Sequence, residues 1–146
     1  MPRPASHEPR REFALDLQVR DYELDQYGVV NNAVYLRYLE HGRHEFLRSL
    51  GIDPAAVARS GRALALSEIH VAYKRPLRSR GAFRVRLWVR FVGGARVSFG
   101  QAIETLPGGS AVLEAEAVAV FLDEQGRPLR VDPEHRRLFA PFVRAG

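Results

Sequence analysis

This 146-residue chain contains no cysteine. That absence excludes disulfide staples, thiolate zinc sites and a cysteine nucleophile together. No apolar run approaches the roughly 18 residues that a membrane span needs, so no membrane partner is expected. The first ten residues, MPRPASHEPR, lack the apolar stretch of a signal peptide. Residues 1–11 read as a frayed tail, residues 12–146 as the domain, and the cytoplasm is the default compartment. There are no internal repeats, no low-complexity tract, no interdomain linker and no basic run of nucleic-acid-arm length. The net charge of +5 rests on 22 basic residues, nearly all arginine. It reads either as solubility charge or as attraction to phosphate groups or an acidic protein. No recognition motif accompanies it, so no nucleic-acid partner is expected.

What is present is an ordinary globular composition, 46% hydrophobic and 27% charged. Phe13, Leu15, Leu17 and Val19 alternate with polar or small residues, the period of a half-buried strand. A loop over 21–28 follows, then a helix from about Asn31 to Leu50. Asn31 or Asn32 is its N-cap and Gly51 its stop. Asp53 and Pro54 suit the start of a second, short helix. From Ala63 the pattern is β. Leu64 and Leu66 lie on one parity, Ile69, Val71 and Tyr73 on the other, so a bulge is expected near Ser67 and Glu68. Pro76 ends that strand. Phe83, Val85, Leu87, Val89 and Phe91 alternate again, and Val97 to Ile103 and Val112 to Phe121 follow after Gly-rich turns. A short last strand near Val131 and a helical tail packing Leu138 and Phe139 complete the expectation. The fold class is α+β: a curved antiparallel sheet of about five strands around one long central helix. The helix is apolar over so much of its circumference that it should be largely enclosed. One helix cannot also cover the far face and edges of the sheet, so a homo-oligomer, dimer or tetramer, is expected.

The segment LDQYGVVNNAVYLRYLEHGRHEFL carries the chemistry. A helix start offers free amides and the positive end of a macrodipole, which suit an anion or a developing oxyanion. Asp25 lies just upstream. A carboxylate and such amides facing one cavity would hydrolyse an activated ester, the acid acting as base or nucleophile. The competing reading makes Asp25 an Asx-turn residue in DQYG. Arg43 shares a helical stripe with Tyr35, Leu39, Phe46 and Leu50, where a cation needs a partner or a water path. It is roughly 16 Å along the axis from Asn32, so it does not sit at the helix start. Mid-helix Gly42 suggests close packing against a strand. Glu68, at the phase flip, either faces inward to assist a water or is solvated. His41, His44 and His70 form no full ligand set, so no metal is expected. Lys74, Arg75 and Arg78 flank Pro76 and suit either phosphate binding or solvation.

The same segment resembles the start of the 4-hydroxybenzoyl-CoA thioesterase family of the hotdog fold. VRDYELDQYGVVNNAVY is similar to plant acyl-lipid thioesterases and to bacterial, enediyne-like polyketide relatives, and LALSEIHVAYKRPLRSRGAFRVR extends the likeness to roughly residues 13–131. The resemblance implies a single hotdog domain that hydrolyses an acyl thioester held on coenzyme A or an acyl carrier protein, without a cofactor. It implies Asp25 as the catalytic carboxylate, the Asn32 amide as carbonyl donor, and Tyr35 and Arg43 as site residues, with Tyr27, Gly28 and Val29 beside the substrate. Rival expectations are a non-hydrolytic acyl-thioester-binding protein and a hotdog dehydratase. The second would need a His–Phe–Pro–Gly-like loop, which the sequence lacks.

Overall fold

A computed structural model of the protein describes residues 11–144. The expected tail, residues 1–11, lies outside the described residues except for Arg11, whose amide donates to Pro141 O at 3.3 Å. Strand β1 is Phe13–Gln18, helix α1 Asn32–Ser49, helix α2 Pro54–Arg59, β2 Ala63–Tyr73, β3 Ala82–Val92, β4 Arg96–Thr105, β5 Ala111–Leu122 and helix α3 Pro133–Phe139. The five strands form one antiparallel sheet in the order β1-β3-β4-β5-β2. Strands β3, β4 and β5 are the expected meander, and β1 and β2 form its two edges. No helix among the described residues is long and apolar enough to cross a membrane.

Helix α1 lies on one face of this sheet, and period explains which residues it buries. Tyr35, Tyr38, Leu39, Gly42, Arg43, Phe46 and Leu47 recur at helical spacing and are all buried. The N-terminal half packs with Val30, Leu77, Phe83, Val85, Ile103 and Leu113. The C-terminal half packs with Leu87, Val89, Phe99, Phe121 and Phe139. A Cβ on Gly42 would come within 2.9 Å of Val85 Cγ1. Glycine there lets helix and strand approach closely, which outweighs its cost in a helix.

Several expectations need correction. The helix is not enclosed all round: Leu36 is 42% exposed, on a face shared with Arg37, Glu40 and His41. Phe91 does not continue the inward row of β3. A register shift between Val89 and Phe91 turns it outward, and it is 47% exposed. Val131 ends no strand; it is buried outside any element, and its amide donates to Gly94 O at 2.8 Å. The shift expected in β2 is present between Leu66 and Glu68. It keeps Leu64 and Leu66 on the helix side together with Ile69 and Val71.

Candidate active site

The chain between β1 and α1 is folded tightly. Asp21–Glu23 forms a turn of 3-10 helix. Then Asp25 N donates to Val29 O at 2.8 Å, and Gly28 N to Asp25 O at 3.0 Å. This closes a turn that needs a positive φ at its end, supplied by Gly28 at +76°. Within it, Asp25 Oδ1 accepts from the amides of Tyr27 (2.8 Å) and Val29 (3.5 Å). The Asx turn is therefore real, and it occupies one carboxylate oxygen. Oδ2 has no hydrogen-bond partner among the described residues.

Two anchors hold this turn against α1. Asn31 N donates to Glu23 O at 3.0 Å and Val30 N to Leu77 O at 2.9 Å. Glu23 Oε1 accepts from Arg20 N at 2.8 Å and from the Tyr38 hydroxyl at 2.7 Å. Burial, reinforced by the Glu23 carboxylate, pushes the Tyr38 hydroxyl far above the usual phenol range. It stays protonated, so the clamp is a donor–acceptor pair.

Asn31, not Asn32, is the N-cap: its Oδ1 accepts from Ala33 N at 2.9 Å. Asn32 is thus the first helical residue. Its amide belongs to the first turn, where helix geometry provides no acceptor. Asp25, Asn32 and Tyr35 border one cavity of about 310 Å³, together with Val29, Tyr73 and Lys74. The Tyr35 hydroxyl oxygen accepts from the Leu77 amide at 2.9 Å. Its own proton is left to donate. Burial is the main cause holding this hydroxyl above the usual phenol range, with Tyr73 and the Asp25 charge adding to it and the Leu77 amide opposing it. The ring meets Tyr73 edge-on, with centroids 5.6 Å apart.

Other candidate residues fall at varying distances from this cavity. Arg75 borders it, its Nε tied to Ala111 O at 2.9 Å. Arg78 does not line it, although its backbone bridges Val29. Tyr27, at the turn's tip, is 77% exposed. Glu68 is exposed and lies outside the cavity lining. It sits on the same parity of β2 as His70 and Ala72, which border a hollow on the sheet's outer face. Arg43 also does not join Asp25 within one chain. It is buried further along α1 and donates from Nη1 to Gln101 Oε1 at 3.0 Å. His41, His44 and His70 border three different hollows. Among the described residues no group of three or more His, Cys, Asp or Glu side chains is arranged to hold a metal.

A hollow of about 600 Å³ lies across the sheet from α1, and several of the arginines that line it are engaged. Arg86 pairs with Glu12 and Glu104, Arg90 with Glu116, and the Arg144 guanidinium stacks 3.9 Å over Trp88. The sequence reading missed Glu23, Tyr38, Tyr73 and Gln101. Only Tyr73 had a local signal, its place on the inward parity of β2.

Residues 19–142 match the family model described as the thioesterase-like superfamily. The chain is 49% identical over 130 residues to the chloroplastic acyl-acyl carrier protein thioesterase ATL3 of Arabidopsis thaliana, covering 89% of this chain and 68% of that protein. It is 29% identical over 129 residues to the long-chain acyl-CoA thioesterase FadM of Escherichia coli, covering 88% and 97%. Among solved structures, Slr0204, a 1,4-dihydroxy-2-naphthoyl-CoA thioesterase from Synechocystis, superposes with a TM-score of 0.85 at 16% identity, over 89% of this chain and 96% of that one. That last likeness concerns the fold alone.

Proposed function

The chain belongs to the thioesterase-like superfamily, and from that premise we propose how its cavity turns over an acyl thioester. The activity is hydrolysis of an acyl thioester to a free acid and a thiol, as the names of its relatives describe. One observation carries the site assignment: Asp25 and Asn32, the first residue of α1, border the same cavity. The thioester carbonyl oxygen points at that amide, where the helix macrodipole favours the charge that develops on it. Asp25 Oδ2 acts as nucleophile on the carbonyl carbon or as base on a water beside it. In the first course it expels the thiolate to leave an acyl–Asp25 anhydride, which water hydrolyses to the free acid and the Asp25 carboxylate, the proton released going to the thiolate. In the second course water loses a proton to Asp25 and adds to the carbon. The C–S bond then breaks, and Asp25 returns the proton to the sulfur. Tyr35, its oxygen accepting from Leu77 N–H, keeps its own proton to donate toward the substrate. Lys74 and Arg75 at the rim suit the phosphate that both coenzyme A and an acyl carrier protein place on their pantetheine arms.

Asp25→Asn tests this reading. Asparagine keeps the Oδ1 acceptor of the turn and removes the base, so the fold should be retained while turnover falls roughly 10²- to 10⁴-fold. Hydrolysis at the wild-type rate by a folded Asp25→Asn protein would remove Asp25 from the chemistry.

A second copy of the chain belongs on the free edge of β2. That strand is 11 residues long, pairs only through β5, and carries Leu66 and Tyr73 at 47% and 49% exposure beside its unpaired backbone. The other edge, β1, has only 6 residues. Light scattering of the purified protein should give twice the 16.5 kDa chain mass or a multiple of it; a monomer at micromolar concentration rejects the pairing.

A further inference from the structure

Resting on the reading of the Asp25 cavity as the thioester site, we propose that the seam between α1 and β2 receives the acyl chain, and that Arg43 at its far end binds a neutral oxygen substituent on that chain, a hydroxyl or a keto group.

Arg43 is only 8% exposed, on the face of α1 turned to the sheet. A guanidinium carries five N–H donors. Among the described residues one of them is engaged, by Gln101 Oε1 at 3.0 Å. That partner is neutral, and its orientation is fixed because Gln101 Nε2 donates to Leu39 O at 2.9 Å. Arg43 has no carboxylate within salt-bridge distance among the described residues. A cation so buried and so sparsely bonded carries a large desolvation cost. A device serving only to hold Gln101 would be cheaper as a neutral donor.

The guanidinium borders a cavity of about 80 Å³ walled by Leu47, Leu64, Leu66 and Phe99, with Glu40 and His44 at its rim. One water in the liquid occupies roughly 30 Å³, so the space takes a few heavy atoms. Its walls suit a hydrocarbon and its one buried polar group suits an acceptor. Burial lowers the Arg43 guanidinium from its ordinary value, the Glu40 charge opposes that, and the same charge would repel a second carboxylate, which argues for a neutral acceptor. A hydroxyl satisfies both, accepting from Arg43 and donating to Glu40.

This cavity and the Asp25 cavity open on the same seam. The first is bounded by α1 and by Leu64 and Leu66 of β2, the second by the start of α1 and by Tyr73 of β2. Helix and strand run in opposite directions between them. Tyr73, which lines the Asp25 cavity, and Leu66, which lines the Arg43 cavity, form an apolar stripe on the β2 side of this seam. The bulge at Ser67 puts all the β2 members of that stripe on the helix side. Asn32 and Arg43 are separated by 11 residues, roughly 16 Å of helix rise. An extended chain advances roughly 1.2 Å per bond, as a three-bond residue spans about 3.5 Å. The oxygen should therefore lie about 13 bonds from the thioester carbon.

A panel of acyl-CoA thioesters of equal length tests this. Its members are unsubstituted, carry a hydroxyl or keto group at successive distal positions, or end in a carboxylate. Wild-type kcat/KM should peak for an oxygen near that position, roughly tenfold above the unsubstituted chain, the scale of one hydrogen bond to a charged group. In Arg43→Met the peak should vanish. The ratio of two substrates within one enzyme does not depend on the folded fraction, so partial unfolding cannot mimic the result. Should Arg43→Met fail to fold, the wild-type position scan still decides. A flat profile, a peak that persists in Arg43→Met, or a preference for the carboxylate would each overturn the proposal. A lowered melting temperature with an unchanged substrate ratio would do so too, leaving Arg43 as a support for Gln101. Failure of the thioester-site reading looks different: Asp25→Asn would then hydrolyse the unsubstituted chain normally.

Discussion

The first two turns of α1 and its last two turns lie on the same sheet, yet their polar groups are treated in opposite ways. At the start, Asn32, Asp25 and Tyr35 border a cavity of about 310 Å³, and Asp25 Oδ2 has no hydrogen-bond partner among the described residues. At the far end, Phe46 is fully buried among four other phenylalanines, Phe13, Phe99, Phe139 and Phe142, with centroids 4.9 to 6.2 Å away. The comparison teaches how one helix can do both jobs. Unsatisfied groups at one end are costly, and they persist because the other end fixes the helix on the sheet. Gly42, packed against Val85, marks where one regime gives way to the other.

The largest stability change should come from the packed end. Phe46→Ala removes a ring with no exposed surface from the centre of its cluster. Such truncations cost about 3–5 kcal/mol, a third to a half of a domain stability of order 10 kcal/mol. Urea denaturation followed by circular dichroism measures it. Per folded molecule, turnover should stay within severalfold of wild type, because nothing in the Asp25 cavity touches Phe46. A specific activity per folded molecule that fell as far as that of Asp25→Asn would break the division between the two ends.

Tyr35→Phe acts at the other end and should be smaller in stability. It leaves the buried Leu77 amide without its acceptor, a loss of about 1–3 kcal/mol. It also removes the donor from the cavity, so kcat should fall with the melting temperature. At the packed end the two observables part; here they move together. A Tyr35→Phe protein with wild-type kcat would confine Tyr35 to supporting Leu77.

Much of this division was legible in the chain, and the reasons differ by element. Strand β1, the meander and the extent of α1 follow from local periods and caps, which one segment contains entirely. The bulge in β2 showed itself as a change of phase. The bulge in β3 did not, because Phe91 continues the apolar alternation although the register shift turns it outward. That Asp25 and Asn32 border one cavity was readable because a loop and a helix start adjoin in sequence. The clamp from Glu23 to Tyr38 spans 15 residues, and the bond from Arg43 to Gln101 spans 58. No local pattern encodes either, since each depends on how α1 is rotated against elements folded elsewhere. Arg43 was visible as an anomaly in an apolar stripe, but its partner was not.

The smallest effect separates capping from chemistry at the site end itself. Asn31→Ala removes the side chain that accepts from Ala33 N and should cost about 1 kcal/mol. For a chain of this length that corresponds to roughly 3 °C in melting temperature. Asn31→Asp keeps the acceptor and adds a negative charge at the positive end of the helix, so stability should be retained or rise slightly. Yet the same charge sits one residue from the Asn32 amide that we propose receives the developing oxyanion. Raising the energy of that oxyanion should lower kcat several-fold, and screening should return part of the loss as salt is added. Stability and turnover would then move in opposite directions on a single substitution. A neutral cap at this position is what an oxyanion-binding helix start requires, whereas a helix start that only needed capping would accept aspartate without loss of activity.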